Sequence, residues 1–230
     1  MALNLIQLNA EQETKVFGLV AGRAGVGKTT QATTFPRDKT LIISLEKGLL
    51  SIKGSGFAAV EITSYDQLID ILENEVTSNK WIEYVFIDSL SEIYDLINRE
   101  IREKFTSKQN FAKFEERQDK LFYAIRIAKQ LPITCFFVCH TKDDKVGVVS
   151  EENLAFDGKL PEDLKKQFDL IINMRSMEDE NGKKQRVFVT SPDISPVAKI
   201  RKSPWLDIQV KDIEDPNLFK LTKKLMGENS

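Results

Sequence analysis

Short apolar runs and stretches with helical spacing alternate along this chain, which is the pattern of an α/β fold. Val16 to Ala21 is an apolar run that ends at a glycine-rich turn, and Leu41 to Leu45 is a second. Tyr84 to Ile87 and Ile133 to Cys139 are two more, each of strand length. Between the second and third runs, Tyr65, Leu68, Ile69, Leu72 and Val76 fall on one face of a helix predicted over Ser64 to Ser78. Ser64 and Gln67 have the spacing of a capping box at its start. From Leu90 a second helix carries Ile93, Tyr94, Ile97, Ile101 and Phe105, and Thr106 to Asn110 interrupts it. A third helix, on Phe114, Leu121, Phe122, Ile125 and Ala128, runs to Gln130, and Pro132 ends it.

Past the fourth strand the stretch from Thr141 to Lys159 is polar and lysine-bearing, and it reads as a loop. Pro161, with Glu162 and Asp163 behind it, fits the first turn of a short helix. Ile171 to Met174 and Arg186 to Thr190 read as strands around an Asn181-Gly182 turn. Proline-punctuated segments follow, and a charged tail runs from Lys211 to Ser230. With no internal repeat and no linker composition, the expected organisation is one domain over 14–205 between tails at 1–13 and 206–230. The expected sheet is mostly parallel, flanked by helices.

Composition narrows the classes. The 230 residues are 41% hydrophobic and 30% charged, so the chain reads as globular rather than disordered or membrane-bound. Lys and Arg number 33 against 35 Asp and Glu, so any basic surface must be local. Met1 to Ala10 carries no positive charge, no apolar run is long enough to span a bilayer, and a cytoplasmic setting is expected. Both cysteines, Cys135 and Cys139, sit in one apolar run and read as buried reduced thiols. His140 is the sole histidine, which excludes zinc sites that need several.

One motif carries specific chemistry. Gly22-Arg23-Ala24-Gly25-Val26-Gly27-Lys28-Thr29 matches G-x-x-x-x-G-K-[ST], a strand precedes it, and Thr29 to Thr34 can open a helix. Glycines let consecutive backbone N–H groups point at a polyphosphate, and a helix N-terminus adds partial positive charge. The loop from Gly22 to Thr30 is therefore the expected binding site of Mg-ATP. Lys28 would bridge the β and γ phosphates, and the Thr29 hydroxyl would ligate Mg²⁺.

Asp88 ends the third apolar strand, where open α/β sheets bind ligands, and it can hold Mg²⁺ or simply cap the helix that starts at Leu90. Glu46 follows the second strand. There it either orients an attacking water as general base or is an ordinary solvated glutamate before a glycine turn. Gly54-Ser55-Gly56 reads as a turn rather than a second phosphate loop.

In this order the residues resemble a family. A P-loop, then Ser44-Leu45-Glu46, then Asp88-Ser89, then a polar residue ending the next strand, His140, looks like the RecA-type ATPases. Ser44-Leu45-Glu46 is also similar to the matching stretch of DnaB-type hexameric helicases. The length, with Ala198-Lys199-Ile200-Arg201, resembles the phage nucleotide-binding proteins, including the RecA-like group of Sak single-strand annealing proteins. The resemblance covers Thr14 to Trp205.

What it implies is a sheet with the His140 strand between the P-loop strand and the Asp88 strand. His140 would stand beside the γ-phosphate as a sensor, although RecA commonly has glutamine there. The break at Thr106 to Asn110 and the stretch Thr141 to Lys159 match the DNA-facing loops of RecA in order, with Lys142, Lys145 and Lys159 offered to phosphates. Asp143, Asp144, Glu151 and Glu152 in the second stretch would repel a nucleic-acid backbone, so a plain solvated loop stays open as an alternative.

Lys199 and Arg201 match the Lys-x-Arg that reaches a neighbour's γ-phosphate in RecA-like assemblies, which implies a homo-oligomer with nucleotide at the subunit interface. The activity implied is a DNA-stimulated ATPase acting on single-stranded DNA in phage recombination, annealing or replication, with a single-strand binding protein as a further implied partner. Two other readings stay open: a nucleotide-gated switch or loader for a protein partner, and a small-molecule phosphotransferase.

Overall fold

A computed structural model describes residues 15–45, 49–104, 110–146, 149–202 and 208–228, apart from the side chains of 104, 110–111, 145–146 and 149–150. Its centre is a sheet in the order β10-β8-β7-β1-β5-β4-β2-β3. The strands are β1 (Phe17–Gly22), β2 (Thr40–Ser44), β3 (Ala58–Glu61), β4 (Tyr84–Asp88), β5 (Thr134–Val146), β6 (Val149–Leu154), β7 (Leu170–Glu178), β8 (Lys184–Val189), β9 (Lys199–Ile200) and β10 (Ile213–Glu214). From β7 through β3 every neighbouring pair is parallel, while β8 and β10 extend the sheet antiparallel. β6 folds back on β5, and β9 pairs with the start of β7. The mixed α/β architecture, with a largely parallel central sheet, is the expected one.

The helices are α1 (Tyr65–Asp70), α2 (Val76–Ser78), α3 (Leu90–Lys104), α4 (Asn110–Gln130), α5 (Leu160–Gln167) and α6 (Leu218–Leu225). A π-helical turn, Ile71–Glu75, joins α1 to α2. The capping box is formed: the Ser64 side chain accepts from the Gln67 N–H, and the Gln67 side chain accepts from the Ser64 N–H.

Period-two alternation within all-apolar strands sends neighbouring side chains to opposite faces, so both faces must be covered. Leu19, Ile43 and Phe137 pack on one face with Leu121, Ile125 and Leu164 from the longer helices. Val20, Ile42 and Phe136 pack on the other with Ala32, Phe35, Leu218 and Leu221. Each such side chain contributes about 1.5–3 kcal/mol on burial, so the strands and the helices that cover them share the stability. Those strands position the site.

Cys135 and Cys139 are buried and free. Four residues apart in one strand, their Cα atoms are ~13 Å apart, beyond the reach of a disulfide. Burial pushes the Cys139 thiol up to about 12, and the Cys135 thiol up as well.

Three expectations are revised. The stretch read as a loop from Thr141 is a β-hairpin: β5 continues past His140 to Val146, and Thr141 to Val146 pair with Leu154 to Val149. Its alternation is weak because this hairpin extends beyond the buried sheet. The segment read as a C-terminal tail contributes β10, paired to β8, and α6. Leu218 and Leu221 of α6 are buried against Ala32 and Phe35, and the Gln31 side chain accepts from the Leu218 N–H. β3 was not expected either, since Ala58-Ala59-Val60-Glu61 is short and only partly buried at the sheet edge.

Candidate active site

The site is built where β1 runs out. Gly22 closes the strand opposite His140 of β5, and a Cβ added to it would lie 2.5 Å from the Met174 carbonyl oxygen. Only glycine lets the chain leave the sheet that close to β7. Gly27 has φ +101°, a left-handed conformation that turns the chain back over the strand end.

Lys28 is brought back against the loop it ends. Its buried Nζ donates to the carbonyls of Gly22 and Arg23, both at 2.9 Å, and lies 3.3 Å from His140 Nδ1. An ammonium only donates, so Nδ1 is the acceptor in this contact. The backbone N–H of His140 donates to Ser91 Oγ at 3.2 Å.

Next along the chain, Thr29 Oγ1 donates to Asp88 Oδ2 at 2.6 Å. Asp88 is buried at the end of β4, in register with Ser44 of β2, and its carbonyl accepts from the Leu45 N–H at 2.8 Å. The chain therefore passes Asp88 one residue before Glu46, which itself lies outside the described residues. β5 sits between β1 and β4, as the RecA resemblance implies. A hydroxyl and a carboxylate side by side, beside a glycine cradle that a Cβ would fill, are a donor set that fits Mg²⁺ and a polyphosphate.

The element after the loop differs from expectation. Thr29–Thr34 is a 3₁₀ helix rather than an α-helix. The hydroxyls of Thr30, Thr33 and Thr34 donate to the carbonyls of Gly27, Thr30 and Gln31, which competes with α-helical bonding, and Pro36 follows at once. With so short a helix, anion binding rests on the loop N–H groups and Lys28 more than on a helix dipole.

The remaining predicted residues lie elsewhere. Lys142, on the hairpin, donates to Asp157 at 2.8 Å and lies 3.6 Å from Asp144, so its charge is already compensated. Lys145 is on the same strand opposite Ser150, and its side chain lies outside the described residues. The break at Thr106 to Asn110 falls outside them too, except for the start of α4 at Asn110. Lys199 donates to the Lys165 carbonyl, and Arg201 pairs with Asp169 at 2.8 Å. Both sit by Leu170, which pairs with Gly18, about 13 Å along β1 from Gly22. They are at the opposite end of the strands from this chain's own P-loop.

Sequence reading missed two features. Arg23 donates to both Asp143 carboxylate oxygens, at 2.9 and 2.7 Å, and so joins the P-loop to the hairpin. Being exposed, this pair is worth at most about 1 kcal/mol. Behind it, Glu152 accepts from Thr141, Asn173 and Arg175, and Ser195 Oγ accepts from Asn173 and Arg175. These residues are far apart in sequence, and no motif announces them. Burial pushes the Glu152 carboxyl up, but the hydrogen bonds from Thr141 and Asn173 and the Arg175 charge outweigh it, holding the group below the usual glutamate range.

Glu152→Ala is expected to lower stability by about 2 kcal/mol. That is less than the ~3–5 kcal/mol of a fully buried pair, because Arg175 keeps some access to water. Since the folded pKa is depressed, the contribution is complete above the normal glutamate pKa and is lost as pH falls through the folded value. Denaturant midpoints of wild type and variant should therefore converge in acid, and a constant gap down to low pH would remove the ion-pair explanation.

Comparison with known families decides the class. The AAA domain family pattern matches residues 14–202. This chain belongs to the AAA domain family. It is thus a nucleotide-binding P-loop ATPase domain, and the matched segment spans β1 to β9 and every residue of the P-loop. A search of curated proteins returns no match. Among the described residues, no helix of this AAA domain is long and apolar enough to cross a membrane.

Proposed function

We propose that this AAA domain is a Mg-dependent ATPase in which Gly22 to Thr30 hold the triphosphate and Thr29 and Asp88 hold Mg²⁺. The observation that carries the reading is the 2.6 Å bond from Thr29 to Asp88, which sets the two metal-binding side chains together beside Lys28. Bound Mg²⁺ would offset charge on the phosphate oxygens; the chain's own residues bind, orient and handle protons. Lys28 neutralises the β and γ phosphates. His140, already at Lys28, senses the γ-phosphate. Glu46, one residue beyond the Leu45–Asp88 backbone bond, acts as general base on water. Lys199 and Arg201 serve the neighbouring subunit's nucleotide in a homo-oligomer, and their distance from this chain's own P-loop supports a role in trans.

By its resemblance to RecA-type phage ATPases, single-stranded DNA is the proposed effector, in phage recombination, annealing or replication, with Lys142 and Lys145 of the hairpin as phosphate contacts. A second reading, a nucleotide-gated switch for a protein partner, is favoured by one observation: the hairpin carries Asp143, Asp144, Glu151 and Glu152, and Asp157 pairs with Lys142.

Titrating ATP turnover with single strands while following oligomer size separates the two. The expected result is stimulation that weakens with salt, and a salt dependence shallower by about one unit per phosphate contact removed in Lys142→Ala and Lys145→Ala. Absence of binding and stimulation at low salt with ATP present favours the switch.

A further inference from the structure

Gly27, next to the P-loop lysine, has a neighbour from a distant strand. A Cβ added at Gly27 would stand 2.8 Å from Arg186 Nη1, 3.2 Å from its Cζ, and 3.2 Å from Thr30 Oγ1. Arg186 lies on β8 opposite Ser176 of β7, beyond the stretch of β7 that flanks β1. The antiparallel return of β8 thus carries a guanidinium to the same end of the sheet as the P-loop. Among the described residues the Arg186 side chain has no hydrogen-bond or ion-pair partner, and it is exposed. Arg23, by contrast, is neutralised by Asp143.

The sheet order gives this cation a direction. β5 and β4, with His140 and Asp88, flank β1 on one side; β7 and β8, with Arg186, flank it on the other. Lys28 and Thr29 contact His140 and Asp88, so the reacting end of a bound triphosphate belongs on the β5–β4 side. The phosphates nearer the nucleoside then lie toward β7 and β8. A planar guanidinium is suited to holding two phosphate oxygens at once.

We propose that Arg186 binds the α- and β-phosphates of the nucleotide in cis, as a binding residue that both ATP and ADP keep. The inference rests on the P-loop being the nucleotide site. It differs from the proposed role of Arg201, which acts across a subunit interface on the γ-phosphate.

Equilibrium binding of fluorescent ATP and ADP analogues to wild type, Arg186→Ala, Arg186→Lys and Lys28→Ala tests it. Arg186→Ala should weaken both nucleotides by the same factor, about tenfold. Arg186→Lys should recover part of that loss, because charge is kept and the fork is not. The thermal midpoint without nucleotide should not move, and Arg186→Gln, which keeps most of the stem, stands in if Arg186→Ala folds poorly. Unchanged affinities, or a loss confined to ATP, would overturn the proposal while Lys28→Ala still weakens binding. If Lys28→Ala binds normally as well, the P-loop reading fails, and this inference fails with it.

Discussion

Lys28→Ala is expected to weaken ATP binding by about tenfold to a hundredfold, the factor that ~1.5–3 kcal/mol of lost charge-assisted hydrogen bonding represents. The geometry gives the reason. An ammonium has three protons, and the loop's Gly22 and Arg23 carbonyls and His140 Nδ1 of β5 receive them. These acceptors hold a buried cation at the strand end, where an arriving phosphate can replace neutral carbonyls with charged oxygens. The alanine variant loses both the waiting arrangement and the exchange. Nucleotide affinity by equilibrium binding, with the thermal midpoint recorded alongside, checks this. Normal affinity in a folded variant would end the assignment.

Arg201→Ala is expected to lower turnover by about 10³- to 10⁵-fold, the range of fingers that neutralise charge on a transferred phosphoryl group, while leaving nucleotide binding to the same chain intact. Arg201 is held by Asp169 near the start of β7, at the far end of β1 from Gly22, so the proposed finger would act on the nucleotide of another subunit. That placement makes a mixing experiment decisive. Lys28→Ala and Arg201→Ala should each be inactive, yet mixed oligomers should regain turnover, because some interfaces pair an intact P-loop with an intact Arg201. Subunit exchange is shown first, by labelled chains. Full activity of Arg201→Ala alone, or no rescue after proven exchange, rejects the role in trans.

The parts of this protein that were legible in its sequence are those set by local chemistry. The apolar runs of β1, β2, β4 and β5 can only be strands buried on both faces, and the capping box at Ser64 forms as its spacing requires. The P-loop is legible because cradling a phosphate needs glycine at fixed positions beside a lysine and a threonine. Even there, the 3₁₀ form of Thr29–Thr34 was hidden, since four threonines and a following proline weaken an α-helix without changing the motif.

What needed the tertiary structure is what joins residues distant in sequence. The hairpin of β5 and β6 has charged side chains on a pair of strands outside the core, so no apolar alternation marked it. Glu152, Asn173, Arg175 and Ser195 meet only because β6 and the segment after β8 both come against the middle of β7. α6 is part of the body because Leu218 and Leu221 bury against Ala32 and Phe35, a contact between the two ends of the chain. Arg186 looked like one cation in an ordinary strand until the return of β8 set it over Gly27. Local rules act over a few residues, and they determined the core strands, the cap at Ser64 and the phosphate loop. Strand order acts across the whole sheet, and it alone decided which charges share the loop with Lys28.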